Sequence, residues 1–518
     1  MRKSTLYILS LLIILALAIS ACGATTPAEQ VQDAAQDAAK EAEKAVEDAK
    51  ETVEDAAEEA EKAVEEAADA AEEKMEEAAE VVEENAEEIV TLKVWSFTNE
   101  IQTMATAYEG RNPGVKVEYT MIPMTAGEYQ TKLKAAVGTA DAPDVIALEA
   151  AFVKELVESN VLADLSELLP DAEAVGTYPA VIEVGMNDGV AKAFSYQSTP
   201  GALFYRRSLA KEYLGTDDPA EVQALLADFD KYTEAAATIK EKSDGNVYMV
   251  GSSGDFQNPF FANRADPWVV DDTLVVDPMV EEYVKIAKLF RDEGYEAQAQ
   301  QWQEGWFAGM NDTLVDAEGN SKQVFSYFLP TWGLPYVLAP NAASSDGSSD
   351  TSGDWGVIPG PLPYQWGGTW VGVVDGSANM DTAKDFVRFV ALDEENLTNW
   401  ATGVYTNEFL KAIDPNIPDD QQQAPGDFVS SQVVVEKILP SFATGELTDF
   451  LAGQNSYSGF AEAAPAVSGK LMTGSDDAIQ RALNDPINQY LNGEISEEEM
   501  WTVWKDNLRI EFPDLLVQ

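Results

Sequence analysis

Hydrophobic positions divide the chain into three unlike stretches. Behind Arg2 and Lys3, the residues from Leu6 to Ala21 carry no charge and are mostly Leu, Ile and Ala. A run of 16 is short for a membrane-crossing helix, which needs about 20 residues, and suits the apolar region of an export signal. From Gly23 to Val90 the apolar positions thin to a stripe (Val46, Val53, Val64, Met75, Val82, Ile89) spaced by 7 or 11 and lined mainly by Ala. This stretch holds 25 acids, 5 Lys and 20 Ala, with no Pro after Pro27, no Gly after Gly23 and no aromatic. Ala, Glu and Lys are strong helix formers, so a largely helical segment is predicted. The hexapeptide Glu-Ala-Glu-Lys-Ala-Val occurs at 41–46 and 59–64, a period of 18 residues or five helical turns. A coiled coil and a solvated spacer both fit. An Ala seam buries little surface, which favours the spacer, and roughly 60 helical residues would reach ~90 Å.

The remaining residues alternate between two periods. Leu92 to Phe97 alternates as a strand does and leads into helical spacing up to about Glu109. Asn112-Pro113-Gly114 is a turn, and Val115 to Ile122 is again strand-like. Glu128 to Val137 places Tyr129, Leu133 and Val137 on one helical face. After Ala142-Pro143, Asp144 to Leu148 forms a short apolar strand, followed by a helix from about Ala150 to Glu158. Strands alternating with helices imply a parallel sheet with helices on its faces. Ligands of such sheets sit beyond the carboxyl ends of the strands, here Trp95–Glu100 and Leu148–Ala150. Ala342–Gly353 is rich in Ser, Asp and Gly and reads as a mobile surface loop.

Composition removes much of enzymology. The 518 residues include no His and one Cys, so a Ser-His-Asp triad, a His-ligated zinc, an intramolecular disulfide and a thiolate cluster are all excluded. No cofactor or metal site is expected. Lys and Arg number 33 against 91 Asp and Glu, and the formal charge of −58 argues against nucleic acid or an anionic surface as partner. Residues 91–518 alone hold 66 acids against 26 bases, a charge that favours solubility and opposes compaction.

Two resemblances follow from particular residues. Ile19-Ser20-Ala21-Cys22 at the end of the apolar run resembles the lipobox of bacterial lipoproteins, which implies cleavage before Cys22 and lipidation of it. The alternative is an uncleaved anchor helix with an incidental cysteine. Val94-Trp95-Ser96, Asn112-Pro113-Gly114-Val115-Lys116-Val117 and Ala142-Pro143-Asp144-Val145 are similar to the opening lobe of extracellular solute-binding proteins. Pro200-Gly201-Ala202-Leu203-Phe204-Tyr205-Arg206-Arg207-Ser208-Leu209, Gly353-Asp354-Trp355-Gly356-Val357 and Trp366-Gly367-Gly368-Thr369-Trp370 agree. Together they resemble family 1, the maltose-binding-protein-like branch that serves ABC importers.

The resemblance implies an α/β, two-lobed periplasmic-binding-protein-like fold of class II, closing by hinge bending. Its expected parts are a signal at 1–21, a lipidated Cys22 with acidic helical spacer to 90, a first lobe at 91–200 and a second at 201–358. A return to the first lobe would cover 359–405, and 406–518 would lie mainly on the second lobe, with helices over Asp476–Leu491 and Glu497–Leu508. Crossings are expected at Ser198–Tyr205, near Ile358–Pro363 with return through Thr369–Val374, and near Ala401–Asn407. The implied partners are a carbohydrate, the permease subunits of an importer, and the membrane through Cys22; a monomer on the extracytoplasmic face is expected.

Aromatics supply candidate chemistry. A sugar ring presents C–H bonds on its faces and hydroxyls round its rim; indole meets the first, and carboxylates, amides and backbone meet the second. Six of the eleven Trp fall between 302 and 370. Trp332 sits where the family commonly places a ring-stacking aromatic, and Trp366 precedes Gly367-Gly368, whose backbone can approach a ligand closely. Trp268, Trp302 and Trp306 are further candidates, each equally readable as core; Trp355, Trp370, Trp400, Trp501 and Trp504 read as core. Asn99 and Glu100 after the first strand, Glu149 after the third, and Asp255 from the second lobe are the polar candidates, each also a possible helix cap or solvated acid.

Three functions stay in play. The first is a lipid-anchored binding protein that captures carbohydrate, or a non-sugar solute, and hands it to an importer. The second is a two-carboxylate glycoside hydrolase, which needs neither His nor Cys. The third is a surface lipoprotein using the acidic arm for display.

Overall fold

The computed structural model describes residues 89–418 and 427–517. The expected signal, Cys22 and the acidic spacer up to residue 88 lie outside the described residues.

Where the acidic stretch ends, the chain enters β1 (Val90–Ser96), whose alternate residues Leu92, Val94 and Ser96 are buried. β2 (Val115–Met121) and β3 (Val145–Glu149) flank it in parallel, joined through helices Glu100–Arg111 and Glu128–Ala136. Val145 to Leu148 are wholly buried, as a central strand covered on both faces requires. β4 (Ala193–Ser195) completes the outward path; β5 (Gly201–Arg206) already belongs to a second sheet, so the chain leaves the first through residues 196–200. β6 (Val247–Val250), β7 (Gln323–Pro330) and β8 (Trp355–Ile358) build that second sheet, in the order β8-β5-β7-β6. β9 (Thr369–Val373) then returns, giving the first sheet the order β2-β1-β3-β9-β4.

Four of the five strands of this sheet run the same way, as the anticipated parallel sheet requires, and β9 is inserted against them between β3 and β4. β9 pairs antiparallel with β3, Thr369 opposite Glu149, because the chain comes back at the carboxyl end of β3 and must run the other way. The returning segment is 359–368, between β8 and β9.

β5 shows how the lobes are packed. Its Leu203 and Tyr205 face a core shared with Trp268, Tyr283 and the helices Asp476–Leu491 and Glu497–Glu511, which contribute Ile479, Leu483, Met500, Trp504 and Leu508. Ala202 and Phe204 face the opposite core, continuous with that of the first sheet.

Residues 401–407 make no crossing. Helix Asn407–Ile413 lies on helix Glu100–Arg111, with Ile413 against Gly110. Val429 and Ser431 bridge to Gln197 and Thr177 of the first lobe, while the Gln454 side chain bonds Val357 of β8 and helix Ser458–Ala463 packs on β5 and β8. The turn at Gly403, with φ 73°, merely ends a helix. The Ser-rich loop after Ala342 closes on itself, Ala343 bridging to Asp350, and Thr351 anchors its end by donating to the Met310 carbonyl.

Candidate ligand-binding cleft

A cavity of about 250 Å3 opens at the carboxyl end of β3. One wall is Glu149, Ala150 and Ala151, where β3 turns into helix Ala150–Val157. Gln365, Trp366 and Gly367 of the returning segment form a second wall. The second lobe supplies Asn258, Phe261 and Arg264, and the C-terminal region adds Met472, Thr473, Asp476 and Asp477. This is the position the strand-end rule anticipates, at the junction of sheet, crossing and opposite lobe.

Glu149 caps its helix, its Oε2 accepting the Ala151 N–H at 2.7 Å. Burial lifts its carboxyl above the usual range, backbone N–H groups pull it back, and Asp477 adds a smaller upward push. Burial also raises Asp476, although the Arg264 Nη2 donates to it at 3.0 Å. Arg264 lies with its guanidinium over the Trp268 ring at 4.4 Å. Carboxylate acceptors thus outnumber the single cation, whose Nη2 is paired while its Nε and Nη1 are buried without a hydrogen-bond partner. Such a wall accepts hydroxyl protons readily and repels anions.

Trp366 faces the cavity and leads into a contiguous group of indoles. It meets Trp332 edge-on at 5.4 Å, and the Trp332 Nε1 donates to the Trp366 carbonyl at 3.0 Å. Gly367 makes this contact possible: at φ 78°, a Cβ there would stand 2.7 Å from the Trp332 Nε1. Gly368, at φ 112°, would bring a Cβ to 3.0 Å from the Trp370 ring. The close approach suggested for the glycine pair is therefore made to tryptophans, and of the two only Gly367 lines the cavity. Trp302 lies nearly parallel to Trp332, at 6.3 Å and 12°, and edge-on to Trp366 at 6.0 Å. It is 47% exposed and left-handed at φ 67°, a conformation that costs a bulky residue about 1–2 kcal/mol.

Other candidates fall elsewhere. Trp268 is fully buried, edge-on to Phe261 and Trp504 in the core of the second lobe, and presents no face to a ligand. Trp306 is likewise buried behind Trp302, its Nε1 donating to Asp255 at 3.0 Å. Asp255 is a buried capping residue that also accepts the Ser252 N–H; burial pushes its carboxyl up to about 7. Asn99 precedes helix Glu100–Arg111 without a side-chain cap bond and is not part of the cavity wall. Glu100 is buried beside the first crossing, bonded to the Tyr196 hydroxyl and to Gln197, whose Nε2 also reaches Asp427 at 2.9 Å. Burial foremost, with Asp427 adding, lifts Glu100 to about 8. Neither Glu100 nor Asp255 lines the cavity.

Arg264, Met472, Asp476 and Asp477 were not anticipated as cavity residues. Nothing in their local spacing marks them, because they meet Glu149 only through the tertiary fold. Among the described residues no group of His, Cys, Asp and Glu is arranged to hold a metal, and no helix is long and apolar enough to cross a membrane.

A family model for bacterial extracellular solute-binding proteins matches residues 103–426. The chain belongs to that family. Solute-binding proteins of this kind bind and do not turn over, which sets the hydrolase reading aside. No curated protein sequence matches this chain. A solved extracellular solute-binding protein of family 1 is similar to it with TM-score 0.64 at 18% identity, over 82% of this chain and all of that one. The sugar-binding protein MalE of Xanthomonas citri is similar with TM-score 0.60 at 17% identity, over 82% and 97%. The galacto-N-biose/lacto-N-biose I-binding protein of an ABC transporter from Bifidobacterium longum, in complex with lacto-N-biose, gives 0.58 at 15%, over 84% and 100%. At such identities the likeness is one of fold, and this solute-binding protein shares it from end to end of those chains.

Proposed function

We propose that this solute-binding protein captures a neutral oligosaccharide between its lobes by hinge closure and delivers it to the permease of an ABC importer. Lipid at Cys22 would hold it at the extracytoplasmic face of the membrane, with the acidic segment as a stand-off arm. The observation that carries the reading is the composition of the cavity: Trp366, in ring contact with Trp332, lines it together with Glu149, Asp476 and Asp477. Indole gives a sugar ring its apolar partner and the carboxylates take its hydroxyls, whereas an anionic solute would meet three acids and a single arginine already bonded through Nη2 to Asp476. The sugars named for the similar structures agree with this choice. At 250 Å3 the cavity is slightly below the usual ligand site of roughly 300–1,000 Å3.

Thermal unfolding of the full-length protein in detergent, against mono- and oligosaccharides with polyols and amino acids as controls, tests the proposal. A ligand at 100 times its dissociation constant adds about 2.7 kcal/mol. A midpoint shift confined to one glycan family, and lost in Trp366→Ala, is expected. Shifts only with amino acids or polyols would replace sugar by another solute. No shift with any solute would favour display.

A further inference from the structure

Residues 467–475 join helix Ser458–Ala463, and the single turn after it, to helix Asp476–Leu491 with no strand or helix of their own. Both flanking helices are fixed to the second lobe, the first on β5 and β8 and the second in the core with Trp268. The stretch between them nevertheless lies on the first lobe. The Gly469 N–H donates to the Glu183 Oε2 at 2.8 Å, in helix Pro179–Val184. The Gly474 N–H donates to the Glu158 Oε2 at 3.1 Å, just past helix Ala150–Val157. The Ser468 hydroxyl and the Lys470 ammonium reach Glu183 as well, at 3.3 and 3.5 Å. Between these two points Leu471, Met472 and Thr473 wall one side of the cavity.

The two glycines show that this contact is fitted. Neither has a left-handed backbone, so neither is there for its conformational freedom. A Cβ on Gly469 would stand 2.6 Å from the Ala180 carbonyl oxygen and 2.6 Å from the Val184 Cγ2; one on Gly474 would stand 3.0 Å from the Glu155 Cα. The missing side chains let the backbone lie against each helix, close enough for a carboxylate to take an N–H in a charge-assisted bond, the stronger kind. On its other side the segment is tied to the second lobe. The Thr473 N–H donates to the Asp476 Oδ1 at 3.1 Å, and Asp476 is held by Arg264. Since the chain runs directly into Asp476, a separation of the lobes carries the segment with the second and breaks the two glycine contacts.

We propose that residues 467–475 are a clasp, a part of the second lobe that fastens across the cavity onto Glu183 and Glu158 of the first, so that solute passes only when those two bonds part. This rests on the lobe closure proposed above and names the contact that holds the closed form. Glu183 and Glu158 are positioning residues, which act on solute only through the segment they seat. Gly469 and Gly474 are the seats, and an alanine at either fits its own backbone while obstructing the approach to the first lobe.

The test needs no ligand. It uses the full-length protein in detergent, as wild type, Gly469→Ala, Glu183→Ala and, for control, Gly114→Ala, where a Cβ meets nothing within 4 Å. Amide hydrogen exchange is followed residue by residue, together with the thermal midpoint and the acrylamide quenching of Trp366, isolated by subtracting Trp366→Phe. Gly469→Ala and Glu183→Ala are each expected to quicken exchange at positions 469 and 474 by about tenfold or more and to leave Thr473 and Asp476 protected. Both should open Trp366 to the quencher and keep a midpoint close to that of the wild type; the control should change nothing. If positions 469 and 474 already exchange without protection in the wild type, the segment is not fastened and the clasp is overturned. Faster exchange throughout the molecule, with the midpoint falling as for a core substitution, makes Gly469 a packing residue and overturns it too. If exchange quickens at the two positions while Trp366 stays as shielded as before, the segment docks without closing the cavity. The clasp is then overturned, and the solute reading, judged by its own thermal shifts, stands.

Discussion

Trp268 stands edge-on to Trp504 at 5.8 Å and to Phe261 at 5.3 Å, sealed beneath the C-terminal helices. Trp302, Trp332 and Trp366 lean on one another at 5.4 to 6.3 Å, and yet one of them is exposed and the other two only partly covered. Ring-to-ring spacing is much the same in the two groups. What differs is the cover: two terminal helices on the first, a cavity and solvent on the second. The carboxylates repeat the contrast, Glu100 being locked into a buried network with Tyr196, Gln197 and Asp427 while Glu149 faces the cavity. Pairwise contacts therefore do not tell a core from a site; the unfilled volume beside them does.

That contrast is broken most forcefully by Trp268→Ala. Emptying a wholly buried indole position should cost about 3–5 kcal/mol, seen in denaturant unfolding, while the folded fraction keeps its affinity for ligand. An affinity loss matched by no loss of stability would move Trp268 back to the site.

The buried acid is tested through pH. Glu100 holds its proton up to about pH 8 in the folded chain, against 4.5 for the free side chain. Between those values the folded protein binds a proton that the unfolded chain releases, so stability should fall as pH rises from about 5 to about 8. Asp255, raised to about 7, adds to the same slope. Glu100→Gln should flatten the decline without removing it, and an unchanged slope in urea titrations across this range would contradict the buried assignment.

A smaller effect is expected from Gly367→Ala. Strain at φ 78° costs about 1–2 kcal/mol, and the added Cβ at 2.7 Å pushes the Trp332 indole off the Trp366 carbonyl. Ligand affinity should fall by more than stability does. Equal losses in calorimetry and thermal unfolding would show that Gly367 shapes the backbone alone.

Much of the architecture was legible in the chain. The periods at Leu92–Phe97, Val115–Ile122 and Asp144–Leu148 correspond to β1, β2 and β3, and the helix over Asp476–Leu491 has the bounds its pattern suggested. The antiparallel run of β9 was not legible, since strand direction depends on where the chain re-enters. The crossing that the resemblance implied near Ala401–Asn407 depends on what the next helix packs on, here helix Glu100–Arg111, and no local pattern carries that information. Among candidate site residues, Trp366, Gly367 and Glu149 are brought together at the cavity, with Trp332 behind Trp366 and outside the cavity wall, whereas Trp268, Trp306, Glu100 and Asp255 are enclosed.

By itself the sequence determined an α/β chain with strands and helices in this order, a site rich in aromatics and acids, and the exclusion of imidazole and thiol chemistry. These follow from side-chain type and from periods of two and 3.6 residues, both of which are local. Only the tertiary structure decided which tryptophans and acids face open volume. That choice depends on what surrounds each side chain, and the surrounding residues, such as Asp476 in the cavity wall with Glu149 or Trp504 against Trp268, lie hundreds of positions away along the chain.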